Sequence, residues 1–277
     1  MDAIRGTLAA RLGAFARGQA QRLEARSRRV APWLERNVMR VMLAWALVMA
    51  LAMAWRVASA PVPVHGLVDL AQLMAPYLVV IVAPLAGLAL ASAAFPLDRH
   101  DAPLASRLAR VGRWHTLPRS EAAAHPAYGP SGFMASLLVG LLLNVVVRGF
   151  EFAVAVPAFN QHAPVWGVML YRLFAADLAS MTFMYMLCFV MALRGVPLFP
   201  RTLIFAWLCD LVLQLAIAHH LANAPGLPAQ VAGPLSTLLV GNVHKVLISV
   251  AIWLPYLLLS ERVNVTYRWR VSRRTAD

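Results

Sequence analysis

Charged side chains are scarce in this sequence: 13% of 277 residues, 12 acidic against 25 basic, where a soluble domain carries about 25%. Too few polar groups remain to cover a water-facing exterior when 61% of the residues are hydrophobic and the mean hydropathy is +0.66. A soluble globular fold is thereby excluded, and the bilayer is the solvent for most of the chain. The two cysteines, Cys188 and Cys209, both fall inside apolar runs, which excludes a secreted disulfide framework and reads as buried free thiols. CxxC, HExxH and GxSxG patterns are missing, as is any Cys/His ligand spacing, so no metal, cofactor or nucleophilic enzyme is indicated.

What the chain has in quantity is long apolar runs. A transmembrane helix needs about 20 mostly apolar residues to cross about 30 Å at 1.5 Å per residue. Six runs qualify: 41–58, 70–95, 132–157, 166–193, 202–221 and 241–259. The expected fold is therefore an all-α integral membrane bundle of six spans. The loops between them, such as Pro61-Val62-Pro63 and Pro225-Gly226-Leu227-Pro228, suit tight connections.

A formal charge of +13 would suggest nucleic acid as the partner of a soluble protein. Its position argues for topology instead. Segments 1–40, 96–131, 194–201 and 260–277 hold 21 of the 25 basic residues, and loops 59–69, 158–165 and 222–240 hold none. Lys and Arg concentrate in cytoplasmic loops. Both termini are thus expected in the cytoplasm, with no nucleic-acid partner. Asn264-Val265-Thr266 matches a glycosylation sequon on that same side and is expected to be unused.

Five segments follow from this division: a basic arm at 1–40, a two-helix membrane extension at 41–95, a basic loop at 96–127, a four-helix membrane domain at 128–270 and a tail at 271–277. The arm sets Ile4, Leu8, Leu12 and Phe15 on one helical face, with Arg5, Arg11, Arg17 and Arg22 elsewhere. It reads as a retained cytoplasmic arm. In 104–114, Leu104, Leu108 and Val111 recur at helical spacing beside Arg107, Arg110 and Arg113, as in an interfacial helix on anionic lipid.

Ionisable side chains inside the spans are costly, about 2.5 to 3.5 kcal/mol at a helix centre on insertion scales, and they face partners or water-filled cavities. In the third span Asn144, Arg148 and Glu151 form one stripe, and Arg148 can pair with Glu151 along the helix. Arg172 and Asp177 of the fourth span are about 140° apart, so Asp177 needs a partner from elsewhere. Asp210 and Gln214 form an i, i+4 pair in the fifth span, which ends at His219 and His220, and Lys245 lies near the outer end of the sixth. Counting rise per residue puts Asp177 and Asp210 about 17 to 18 Å from the outer face. They are expected to share a polar pocket. The same count puts Arg148, Glu151, Arg172, His220 and Lys245 in an outer layer with excess positive charge, expected to line a vestibule above the two aspartates.

Near the C-terminus, Ile252-Trp253-Leu254-Pro255-Tyr256 is followed by Ser260-Glu261-Arg262-Val263 and Thr266-Tyr267. This run resembles the closing signature of domain of unknown function family 2569, in which Phe is usual at the position of Tyr267. The family's opening Gly-Gly-Trp corresponds to Ser131-Gly132-Phe133. The resemblance covers roughly 128–270 and implies a multi-pass bacterial inner-membrane protein. It supplies no catalytic or binding residue.

The leading expectation is a structural or assembly role in the membrane, the alternative proton- or ion-linked transport of a small solute, and the third a membrane enzyme. The expected partners are the bilayer and anionic lipids, with a membrane-protein partner or homo-oligomer left open.

Overall fold

The computed structural model describes residues 27–96, 112 and 114–272. Six long apolar helices dominate it: α1 (Val30–Ala58), α2 (Leu67–Ala94), α4 (Phe133–Ala155), α5 (Val165–Leu193), α6 (Phe199–Ala222) and α7 (Ala229–Leu259). Two short helices, α3 (Arg119–Ala124) and α8 (Glu261–Arg268), and two strands, β1 (Trp114–Thr116) and β2 (Arg270–Ser272), gather at the end of the bundle where α7 finishes. Residues 1–26 of the basic arm and most of 104–114 lie outside the described residues, and 30–40 of the arm form the start of α1.

Two of the spans begin well before the apolar runs that mark them. Helix α1 starts at Val30, not residue 41, and α7 at Ala229, not Gly241. Nothing in Trp33–Arg40 breaks hydrogen bonding, and Pro32 sits in a first turn that needs no donor there. Pro234 in α7 fixes φ near its helical value and forfeits one hydrogen bond, and the helix runs through it. Hydropathy marks where hydrocarbon begins, and the helical backbone extends beyond it.

Helix α5 is the centre of the bundle. It packs on α2, α4 and α6, while α1 lies against α2 and α4. At Gly87 a β-carbon would meet the Phe183 carbonyl oxygen at 2.7 Å, so glycine is what lets α2 approach α5. Gly149 of α4 likewise faces the Trp45 ring of α1 at 3.0 Å. Beside the break that Pro76 makes in α2, the Tyr171 hydroxyl donates to the Leu73 carbonyl at 2.5 Å. Tyr77, Phe152 and Tyr171 cluster there with centroids 5.4 to 6.1 Å apart.

Helix ends are closed by specific bonds. Helix α5 stops at Gly195 in the left-handed region (φ 66°), with Val196 N–H donating to Met191 O at 2.9 Å in a Schellman turn. The neighbouring Arg194 guanidinium donates to Ser92 O and Phe95 O at 2.8 and 2.6 Å, and so neutralises the carbonyl end of α2. At the other end of the bundle Arg56 does the same for Val154 O of α4, at 2.6 Å.

Helix α7 is different: of its 31 residues Leu239, Val246 and Leu257 are buried. It rests on α6, and a crevice separates it from α4.

Candidate functional site

The crevice lies between α4 and α7, and polar groups from both helices stand among its mostly apolar lining. Its deep wall holds Arg148 of α4. Arg148 does not turn back to Glu151, as the i, i+3 spacing suggested. Its Nη2 donates to Asp177 Oδ2 of α5 at 2.8 Å and its Nη1 to Asp210 Oδ2 of α6 at 2.6 Å. Glu151 pairs instead with Lys245 of α7, the chain's single lysine, at 2.6 Å. A planar guanidinium with two parallel forks can serve two carboxylates at once, which an ammonium cannot do with fixed geometry.

Three further side chains complete the network. The Tyr185 hydroxyl donates to Asp210 Oδ2 at 2.7 Å, and Gln214 Nε2 donates to Asp177 Oδ2 at 3.0 Å. Asn242 Nδ2 in turn donates to Gln214 Oε1 at 3.3 Å. Periodicity explains who meets whom: Asp177 and Tyr185 are two turns apart on one face of α5, and Asp210 and Gln214 one turn apart on α6. Asp177, Asp210 and Gln214 are 5%, 1% and 1% exposed, so the network is a buried polar core. The Oδ2 of each aspartate is saturated. The Oδ1 of each is buried with no hydrogen-bond partner among the described residues.

The predicted depths need correction. Arg148 does not sit in a layer above the aspartates; it touches both. The spans run 23 to 31 residues, roughly 35 to 46 Å against a core of about 30 Å. They tilt or project by different amounts, so counting from each helix end misaligns them. The sign of the charge also reverses. Beside Arg148 stand two carboxylates, so the local formal charge is negative where excess positive charge was expected.

The other predicted residues separate. Asn144 is half-buried in the wall of the crevice, whereas Arg172 and His220 are exposed and stand outside the network. His219 and His220 touch only edge to face, 5.9 Å between centroids. Among the described residues no group of three or more His, Cys, Asp and Glu could hold a metal. Cys188 is buried and Cys209 half-buried, both free.

Sequence reasoning missed Tyr185 and Asn242, whose polar groups look ordinary in an apolar helix. It also missed a cluster at the far end of the bundle from α8. There Asp69, 3% exposed, accepts from His65 N–H at 2.9 Å and Gln161 Nε2 at 3.1 Å, and lies 3.2 Å from His162 Nε2. Gln72 completes it, accepting from Gln161 N–H at 2.9 Å. These bonds tie the loop before α5 to the first turn of α2. Proximity of a polar residue to an apolar run was the one available signal.

At the opposite end, α8 folds back under the bundle. Arg262 Nη1 donates to Ser131 Oγ at 2.5 Å, Thr266 Oγ1 accepts from Gly129 N–H at 3.0 Å, and the Tyr267 hydroxyl donates to Ala192 O at 2.7 Å. Burial holds the Tyr267 phenol well above its ordinary range, so it is a neutral donor. Phe133 stacks on Trp253 at 4.5 Å and meets Tyr256 edge-on at 5.0 Å. Strands β1 and β2 pair antiparallel, Trp114 opposite Ser272, and close the cap.

The family model described as protein of unknown function (DUF2569) matches residues 129–268, just over half of the chain. The matched stretch begins and ends within the contacts just described: Gly129, Ser131 and Phe133 at its start meet Trp253, Tyr256, Arg262 and Thr266 at its end. Every member of the Arg148 network also lies inside it. No curated protein and no solved structure matches the chain.

Proposed function

We propose, for a chain that belongs to the family described as protein of unknown function (DUF2569), that it is a proton-linked transporter of a small solute whose Arg148–Asp177–Asp210 triad binds and releases the proton. The observation that supports this is the charge count. Fully ionised, the triad carries two negative charges and one positive, in a buried site among four spans. A net charge there is strongly unfavourable. One proton on Asp177 Oδ1 or Asp210 Oδ1 makes the triad neutral and turns an unpartnered acceptor into a donor. Two carboxyls sharing one proton beside one guanidinium are suited to exchange it, and ionisable groups within spans mark such relays.

The setting of this reading is a bacterial inner membrane with both termini in the cytoplasm, supported by the division of basic residues. The family match and the confinement of the network to four helices support treating 128–270 as the functional unit and 41–95 as an extension. Anionic lipid at the basic segments is part of the same proposal.

A second reading has its own observation: the triad ties α4, α5 and α6 together, as a structural or assembly part would require. Charge displacement in proteoliposomes after a pH jump separates the two. Transport predicts a displacement that Asp177→Asn and Asp210→Asn each abolish while the protein still accumulates. An undiminished signal in both variants contradicts it, and loss of accumulation in both favours the staple.

A further inference from the structure

Two adjoining cavities lie along the crevice between α4 and α7. The first, about 420 Å³, reaches Asp210 and Tyr185 and extends past Gly140, Ser249 and Trp253, toward the α8 end of the bundle. The second, about 850 Å³, reaches Asp177 and extends past Val156, Phe174, Pro234 and Thr237, toward the opposite end. Because α4 and α7 run antiparallel, Gly140 lies beside the last third of α7 and Val156 beside its first turns. The cavities therefore occupy opposite halves of the membrane. They share Arg148, Glu151, Asn242 and Lys245.

These four stand where the two cavities meet. Arg148 bridges the two aspartates at the deep edge of this junction, and the Lys245–Glu151 pair bridges α7 to α4 at the outer edge. Asp210 lines the first cavity and not the second, and Asp177 the second and not the first. We propose that the cavities are two half-channels of a relay: each aspartate exchanges protons with one face of the membrane, and the Arg148–Lys245–Glu151 partition prevents a continuous path.

In the relay a hydronium in one cavity breaks an O–H bond to protonate that cavity's carboxylate as the other aspartate's carboxylic acid gives its proton to water in the second cavity. The proton then passes from the first carboxyl to the second, which resets the triad. The triad holds one guanidinium, one carboxylate and one carboxylic acid before and after the transfer. Its charge is unchanged, so no uncompensated ion is created in the low-dielectric interior. Arg148 keeps a fork on each aspartate throughout and follows the negative charge as it moves.

The inference rests on the proton-exchanging reading of the triad, and a test of access keeps the two apart. In a background of Cys188→Ala and Cys209→Ser, single cysteines are introduced at Asp177, Asp210, Thr237 and Ser249. Each is exposed to a charged, membrane-impermeant methanethiosulfonate from one face or the other of oriented vesicles. Thr237→Cys and Ser249→Cys lie on the thinly packed α7 and serve where an aspartate variant fails to fold. The relay predicts labelling at 177 and 237 from one face only, and at 210 and 249 from the other face only. Adding Lys245→Met to Ser249→Cys makes labelling two-sided, by at least tenfold in rate from the previously closed face. Labelling of both sets from one face overturns the relay. So does protection of all four from the charged reagent while a lipid-soluble maleimide reaches them, because the crevice would then be filled by lipid. Charge displacement in wild-type protein that survives either result would leave the proton site standing without two-sided access.

Discussion

Arg148 Nη1 on α4 stands 2.6 Å from Asp210 Oδ2 on α6, two residues 62 positions apart with a whole helix between them in sequence. That helix, α5, supplies Asp177 to the other fork at 2.8 Å. The guanidinium therefore joins three spans, α4, α5 and α6.

Removing it leaves the Asp177 and Asp210 carboxyl groups buried without their counter-ion. Arg148→Met is expected to cost about 3 to 5 kcal/mol, the range for breaking a buried ion pair by deleting one partner. The triple variant Arg148→Met, Asp177→Leu, Asp210→Leu is expected to recover most of this, since an apolar replacement carries no unpaired charge. Reversible unfolding in mixed micelles measures both. A triple variant as unstable as the single one would contradict the pairing.

Two tyrosine hydroxyls separate an acceptor that shares the triad's negative charge from a neutral one. Tyr185→Phe removes a donor from Asp210 and is expected to cost about 1.5 to 3 kcal/mol. Tyr267→Phe removes a donor from the Ala192 carbonyl and is expected to cost about 0.5 to 1.5 kcal/mol. Paired unfolding curves decide, and a Tyr185→Phe cost no larger than that of Tyr267→Phe would put the triad's proton on Asp210 throughout, which contradicts its exchange with Asp177.

Gly87 provides a test of the packing. Its absent β-carbon would lie 2.7 Å from the Phe183 carbonyl oxygen. Gly87→Ala is expected to destabilise by about 1 to 3 kcal/mol, as overpacking does, while Gly140→Ala, with nothing within 4 Å, is expected to be neutral. Thermal unfolding in detergent reads the contrast.

Topology is tested by reporters active only outside the cytoplasm. Fusions after 61, 162 or 228 are expected to be active, and those after 117, 197 or the C-terminus silent, because 21 of 25 basic residues lie on the latter side. An active C-terminal fusion would contradict the orientation.

The six spans were legible because hydropathy and length are properties of contiguous residues. Boundaries were less so: the sixth run reads from residue 241 and 222–240 reads as a loop, yet α7 begins at Ala229 and runs through Gly233 and Pro234. The aspartates stood out as ions in apolar helices, but their partner did not. Which face of α4 meets α5 and α6, and at what height, depends on tilt and rotation that a helical count does not contain. Hence Arg148 was read with Glu151, its neighbour along the helix, and Lys245 was read with a layer to which Arg172 and His220 do not belong. Tyr185 was invisible because a tyrosine among apolar residues gives no sign of where its hydroxyl goes.

A triad that holds one proton has one protonated carboxyl, and infrared difference spectroscopy reads its C=O stretch. At neutral pH the account predicts one such band from the triad in the wild-type protein, absent from both Asp177→Asn and Asp210→Asn, because each leaves a single carboxylate matched to Arg148. A wild-type protein without that band, or a band that survives both substitutions, would contradict it.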